Sequence, residues 1–119
     1  MTQDDRHRRL TRLVAGSGVV WGLTLLAAPG RVVDALCPEL PGSRRWAVPL
    51  LGARLVIQHG AVLAVPEARI VRVGAMADLL HAASMVPLLW FPPYRRAALV
   101  SGGYAALYAA TAPAVAPRS

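Results

Sequence analysis

Residues 46–66 read WAVPLLGARLVIQHGAVLAVP, an apolar run bounded by Trp46 and Pro66 with Arg54, Gln58 and His59 inside it. A helix that crosses a bilayer needs about 20 predominantly apolar residues, and this run has that length. Its apolar side chains occupy every face of a helix rather than one stripe, so a water-facing amphipathic helix fits poorly. Polar groups within such a span are costly in hydrocarbon and turn toward the interior of a bundle. The stretch therefore predicts a membrane-crossing helix with an inward side marked by Arg54, Gln58 and His59.

Three more runs of this kind fill the chain. Leu13 to Gly30 carries no charge and follows the polar start MTQDDRHRRLTR, where four arginines outweigh Asp4 and Asp5. A basic start before an apolar run also fits a signal peptide. The length of the run, the poor cleavage context at Ala27-Ala28-Pro29 and the later spans favour a retained helix instead. Ile70 to Phe91, IVRVGAMADLLHAASMVPLLWF, ends in the aromatic pair Trp90-Phe91, and Pro92-Pro93-Tyr94-Arg95-Arg96 is expected to stop it and return the chain. Ala97 to Pro117 is uncharged and rich in Ala and Gly. Spans at 13–30, 46–66, 70–91 and 97–117 predict an all-α protein: a transmembrane four-helix bundle, antiparallel and up-down-up-down, forming one domain over residues 1–119. Between the first two spans, RVVDALCPELPGSRR (31–45) holds the breakers Pro38, Pro41 and Gly42. Its first half, with Val32, Val33, Leu36 and Leu40, suits a segment lying along the membrane surface. Glu67, Arg69 and Arg72 mark a tight turn between the second and third spans.

Composition agrees with hydropathy. The chain is 55% hydrophobic and 16% charged, with mean hydropathy +0.45, too apolar for an ordinary soluble domain. All thirteen basic residues are arginine, which with the many Ala, Val, Gly and Pro residues suggests a GC-rich, actinobacterial genome. A net charge of +7 would suggest nucleic-acid binding in a soluble protein. Here the arginines flank apolar spans, where they anchor helix ends at lipid headgroups, and stacking aromatics are few. The expected surroundings are thus the lipid bilayer, with no nucleic-acid partner. An inside N-terminus puts seven arginines on the cytoplasmic side (Arg6, Arg8, Arg9, Arg12, Arg69, Arg72, Arg118) and five opposite (Arg31, Arg44, Arg45, Arg95, Arg96). That bias predicts a multi-pass protein of the cell membrane with both termini cytoplasmic. Cys37 is the single cysteine, so an intramolecular disulfide cannot form and a small unreactive side chain is expected.

The second and third spans share a polar seam. Arg54 and Gln58 are four apart and lie on one helix face, with His59 about 100° further round. In the third span Gly74, Asp78, His81 and Met85 form one stripe. Counting about 1.5 Å per residue in antiparallel helices, His59, Asp78 and His81 reach similar depths and Arg54 lies nearer the outer face. A lone Arg or Asp at a helix centre costs about 2.5–3.5 kcal/mol on insertion scales. Arg54 can snorkel outward, whereas short Asp78 needs a donor, a proton or water. The expected contact of Asp78 is therefore His59 or Arg54. Pro87 removes a backbone bond to Ala83 and predicts a kink in the third span, with Ser84 positioned to satisfy the freed carbonyl.

Three functions are compatible with such a seam. Arg54, Gln58, His59, Asp78 and His81 suit an interhelical network that fixes helix register in an accessory subunit, one that binds a larger protein partner or forms a homo-oligomer. The alternative is proton-linked transport or binding of a small molecule, with Asp78 titrating and His59 and His81 as relay. The third is a redox subunit holding haem b between His59 and His81; otherwise no cofactor is expected. A metal site is not expected, because the compact ligand spacing of zinc motifs is missing. Nor is an enzyme: Ser17, Ser84 and Ser101 have no nucleophile-elbow context, and paired carboxylates and phosphate-binding glycine loops do not occur. The stretches GARLVIQHGAVL (52–63) and DLLHAASMVPLLW (78–90) resemble the small four-span integral membrane proteins common in actinobacterial genomes. More broadly the architecture is similar to DoxX-like membrane proteins, a resemblance that implies a link to redox or stress-related assemblies. Neither resemblance assigns a role to a particular residue.

Overall fold

The computed structural model describes residues 2–117 and is built from helices, with no strand among them. Helix α1 spans Gln3–Ala27, α2 Pro29–Leu36, α3 Ala47–Ala64, α4 Ala68–Met85 and α5 Pro92–Val115. Short 3-10 turns lie at Gly42–Arg44 and Val86–Trp90. Four segments are long and apolar enough to cross a membrane: Gln3–Ala27, Gly42–Ala64, Ala68–Trp90 and Pro92–Val115. The chain is a four-helix bundle of the multi-pass membrane kind, 48 Å along its longest axis. Its surface matches that setting. Ile57 is 74% exposed and Leu80 70%, positions that water would penalise and acyl chains accept.

Local chemistry explains where the helices begin and end. Thr2 caps α1 through its side chain, accepting from the Asp5 N–H while the Asp5 carboxylate accepts from the Thr2 N–H. α1 thus starts ten residues before the apolar run at Leu13, and the polar segment expected to flank the span is its first turns. At the far end Pro29 cannot continue α1 and instead supplies the first position of α2. Pro66 disfavours a helical conformation at Val65, which leaves the helix with φ −136° and ψ 84°, and α3 closes at Ala64. Pro92 and Pro93, expected to end the third span, open α5: a missing N–H is harmless in a first helical turn. The reversal itself is made at Phe91, which is extended. At Pro87 the Ala83 carbonyl is satisfied by backbone and not, as expected, by Ser84. α4 tightens into the 3-10 turn, where the Val86 N–H takes the Ala83 carbonyl, while Ser84 Oγ donates to His81 O.

The bundle assembles from two helix pairs. α1 and α3 run antiparallel in close contact, with Gly22 opposite Gly52, Gly18 opposite His59, and Ala15 with Val62 in one core cluster. A Cβ added at Gly52 would lie 2.6 Å from the Gly22 carbonyl oxygen, so the glycines set the separation of this pair. α4 and α5 form the second pair, with Met85 packed over Gly102. Between the pairs backbones approach less closely, and side chains bridge the gap. At one end Ala15, Val62 and Val71 join α1, α3 and α4, and Thr11 Oγ1 donates to the Val115 carbonyl of α5. At the other end the connector closes the bundle: Val33, Cys37 and Leu40 are buried against Val48, Tyr94 and Ala97. The segment expected along the membrane surface is thus a short helix whose apolar side seals the bundle end. Ion pairs Arg45–Asp34 at 3.4 Å and Arg96–Glu39 at 3.5 Å lie over it.

Candidate functional site

Among the described residues Asp78 is the most deeply buried charged side chain, with 2% exposure in the middle of α4. Its two carboxylate oxygens are engaged separately. Oδ1 accepts from Arg54 Nη2 at 3.3 Å and Oδ2 from Gln58 Nε2 at 3.0 Å. The same Gln58 amide also donates to the Gly74 carbonyl at 3.2 Å, one turn earlier on α4. Arg54 and Gln58 are four residues apart on α3, and Gly74 and Asp78 four apart on α4, so the two helical repeats present matching edges. Gly74 leaves the Gln58 amide room: an added Cβ there would lie 3.2 Å from Gln58 Nε2. These bonds form a polar clamp between the helix pairs, charge-neutral as a unit. Arg54 lies at the clamp's margin, its side chain 34% exposed, while Asp78 is enclosed.

His59 is not a partner of Asp78. One residue on from Gln58, it turns away from the clamp and packs between Gly18 of α1 and Tyr108 of α5, 3% exposed. Its ring centre is 4.4 Å from that of Tyr108, which lies 5.0 Å from Tyr104, itself 5.8 Å from Trp21. The Tyr108 hydroxyl donates to the Val14 carbonyl and lies 2.6 Å from Ser17 Oγ. Four rings and three hydroxyls, those of Ser17, Tyr104 and Tyr108, thus gather where α5 meets α1 and α3. Tyr104 and Tyr108 escaped the sequence reading, and Ser17 was considered there only as a nucleophile. Two tyrosines four apart in the middle of an uncharged span were the available signal, since each hydroxyl in hydrocarbon needs a partner. His59 Nε2 is buried without a hydrogen-bond partner and sits beside a void of about 20 Å³ that Gln58, Asp78, Thr11 and Tyr108 also line. A void of that size holds about one water molecule.

His81 lies apart from both groups. It is half-buried, its Nε2 is also without a partner, and it lines a different and much larger cavity of about 550 Å³ at the connector end. Of the five residues marked by the sequence, the fold brings Arg54, Gln58 and Asp78 together, places His59 beside the same small void without a bond to Asp78, and directs His81 to another cavity. A haem bridged by the two imidazoles does not fit side chains that line separate cavities. Among the described residues no three His, Cys, Asp or Glu side chains come together as a metal site would require. Comparisons with family models, curated proteins and solved structures give no match for this chain.

Proposed function

We propose that the chain is a non-catalytic accessory protein of the cell membrane, which works by contacting a larger protein partner or further copies of itself. The supporting observation is the saturation of Asp78, whose two oxygens accept donors from α3. A carboxylate held this way fastens helices together and is poorly placed to exchange protons. The arginine distribution favours an orientation with both termini cytoplasmic, although Arg118 lies outside the described residues. The resemblance to DoxX-like proteins directs the search for a partner toward redox or stress-related assemblies.

Extraction in a mild detergent followed by native mass spectrometry tests this reading. A stoichiometric protein partner or a defined homo-oligomer is the expected result. A lone monomer that remains monomeric after crosslinking in intact membranes would remove the reading. A water in the void beside His59, Gln58 and Asp78 would give these groups a proton relay, which supports a second reading, proton-linked transport or binding of a small molecule. Under that reading proteoliposomes acidify or alkalinise on substrate addition, and Asp78→Asn abolishes the response.

A further inference from the structure

The cavity at the connector end is roomy and mostly apolar, and its lining runs from His81 and Ser101 within the spans to Arg44 at the start of the span Gly42–Ala64. Its volume of about 550 Å³ lies within the range typical of small-molecule sites, about 300–1,000 Å³. Trp21 and Met85 form part of its apolar wall, and polar groups are few: the exposed Arg44, His81 on α4, Tyr94 and Ser101 on α5, and the Cys37 thiol. Arg44 belongs to the 3-10 turn just before the exposed boundary residue Trp46. At this end of the bundle Arg45 of the connector is paired with Asp34, and Arg96 of α5 with Glu39. Arg44 makes no ion pair among the described residues, so this end carries an uncompensated positive charge above an apolar hollow.

We propose that this cavity binds an anionic amphiphile, with one acyl chain inside and the acidic head on Arg44. The chemistry is shared by a free fatty acid and by one chain of an anionic phospholipid. An apolar wall receives the chain, and a cation at the start of the span holds the head, the arrangement by which basic residues mark anionic lipid at membrane interfaces. The inference is independent of the accessory-protein reading, because it is measured on the isolated chain.

Trp21 provides the readout. In a Trp46→Phe/Trp90→Phe background it is the sole tryptophan, and the protein is placed in nanodiscs of zwitterionic lipid. Titration with a dibrominated fatty acid is expected to quench Trp21 saturably. Ala47→Phe, which adds a ring at a residue lining the cavity, is expected to abolish saturable quenching. Arg44→Gln is expected to weaken binding of the acid about three- to fivefold, the scale of an exposed charge pair, and to leave a dibrominated fatty alcohol unaffected. Displacement by phosphatidylglycerol within the disc identifies a phospholipid chain as occupant, and displacement by unlabelled oleate alone identifies the free acid; both support the proposal. Quenching that rises linearly with bromine content, equally in the Ala47→Phe protein, overturns it. So does equal affinity for acid and alcohol in the unsubstituted protein. Arg44 is exposed, so Arg44→Gln keeps the test decisive if Ala47→Phe fails to fold.

Discussion

Asp78 shows how one residue's surroundings decide its role. Within hydrocarbon an unpartnered carboxylate is costly, and here it takes donors from Arg54 and Gln58 on the neighbouring helix. Replacing Asp78 with Leu leaves Arg54 uncompensated and is expected to destabilise the bundle by about 2 kcal/mol. That is below the range for a fully buried pair, because Arg54 is 34% exposed and can snorkel. Adding Arg54→Leu removes the stranded charge, so the double variant should recover most of the loss in a detergent melting series. A double variant less stable than either single would refute the clamp. Cys37 is a second case. Burial, aided by the nearby Glu39 carboxylate, pushes its thiol pKa up, against the opposing pull of Arg45 and Arg96. A raised pKa means less thiolate at any pH below it, so alkylation in the folded protein should be slow near neutrality and accelerate only at distinctly alkaline pH. Rapid maleimide labelling at pH 7 without denaturant would contradict this.

At the scale of elements, glycine positions separate packing from mere flexibility. Gly52 faces the Gly22 carbonyl across the α1–α3 contact, whereas nothing lies within 4 Å of a Cβ added at Gly60 on the same helix. Gly52→Ala is therefore expected to cost about 1–3 kcal/mol by forcing the helices apart. Gly60→Ala should stay within about 1 kcal/mol of the parent, on either side. Equal melting temperatures for the two variants would show that this contact does not set the helix spacing. The prolines carry a related lesson. Sequence reading treated Pro92 and Pro93 as terminators, yet proline is equally at home in a first helical turn. Which role it takes depends on whether the next residues can pack as a helix. Here Ala98, Gly102 and Ala105 pack inward, making α5 a continuous helix from Pro92 to Val115.

For the whole molecule, an even number of crossings puts both chain ends on the same face of the membrane. Reporters fused to the N- and C-termini are expected to be active on the same side, and the arginine bias puts that side in the cytoplasm. Opposite activities would require an odd number of spans. The two-pair architecture also locates the cavities beside Asp78 and beneath the connector. α1–α3 and α4–α5 pack tightly within themselves, and the voids of about 20 and 550 Å³ are lined by residues from both pairs.

Hydropathy alone determined the number of spans, their boundaries to within a few residues at most ends, and the presence of a polar seam. These follow from the solvent: hydrocarbon accepts only helices with satisfied backbones, and it drives ionisable groups inward whatever the packing details. The rotation of each helix about its axis was not fixed in this way. Gln58 and His59 are adjacent in sequence and about 100° apart on the helix, and packing against Gly18 and Tyr108 sends the histidine away from Asp78. Only the tertiary structure decided that Arg54 and Gln58, rather than His59, hold Asp78. It alone showed that His81 faces an apolar hollow beneath Arg44, because a cavity is a property of surfaces that fail to meet. Spacing along one chain carries no record of that.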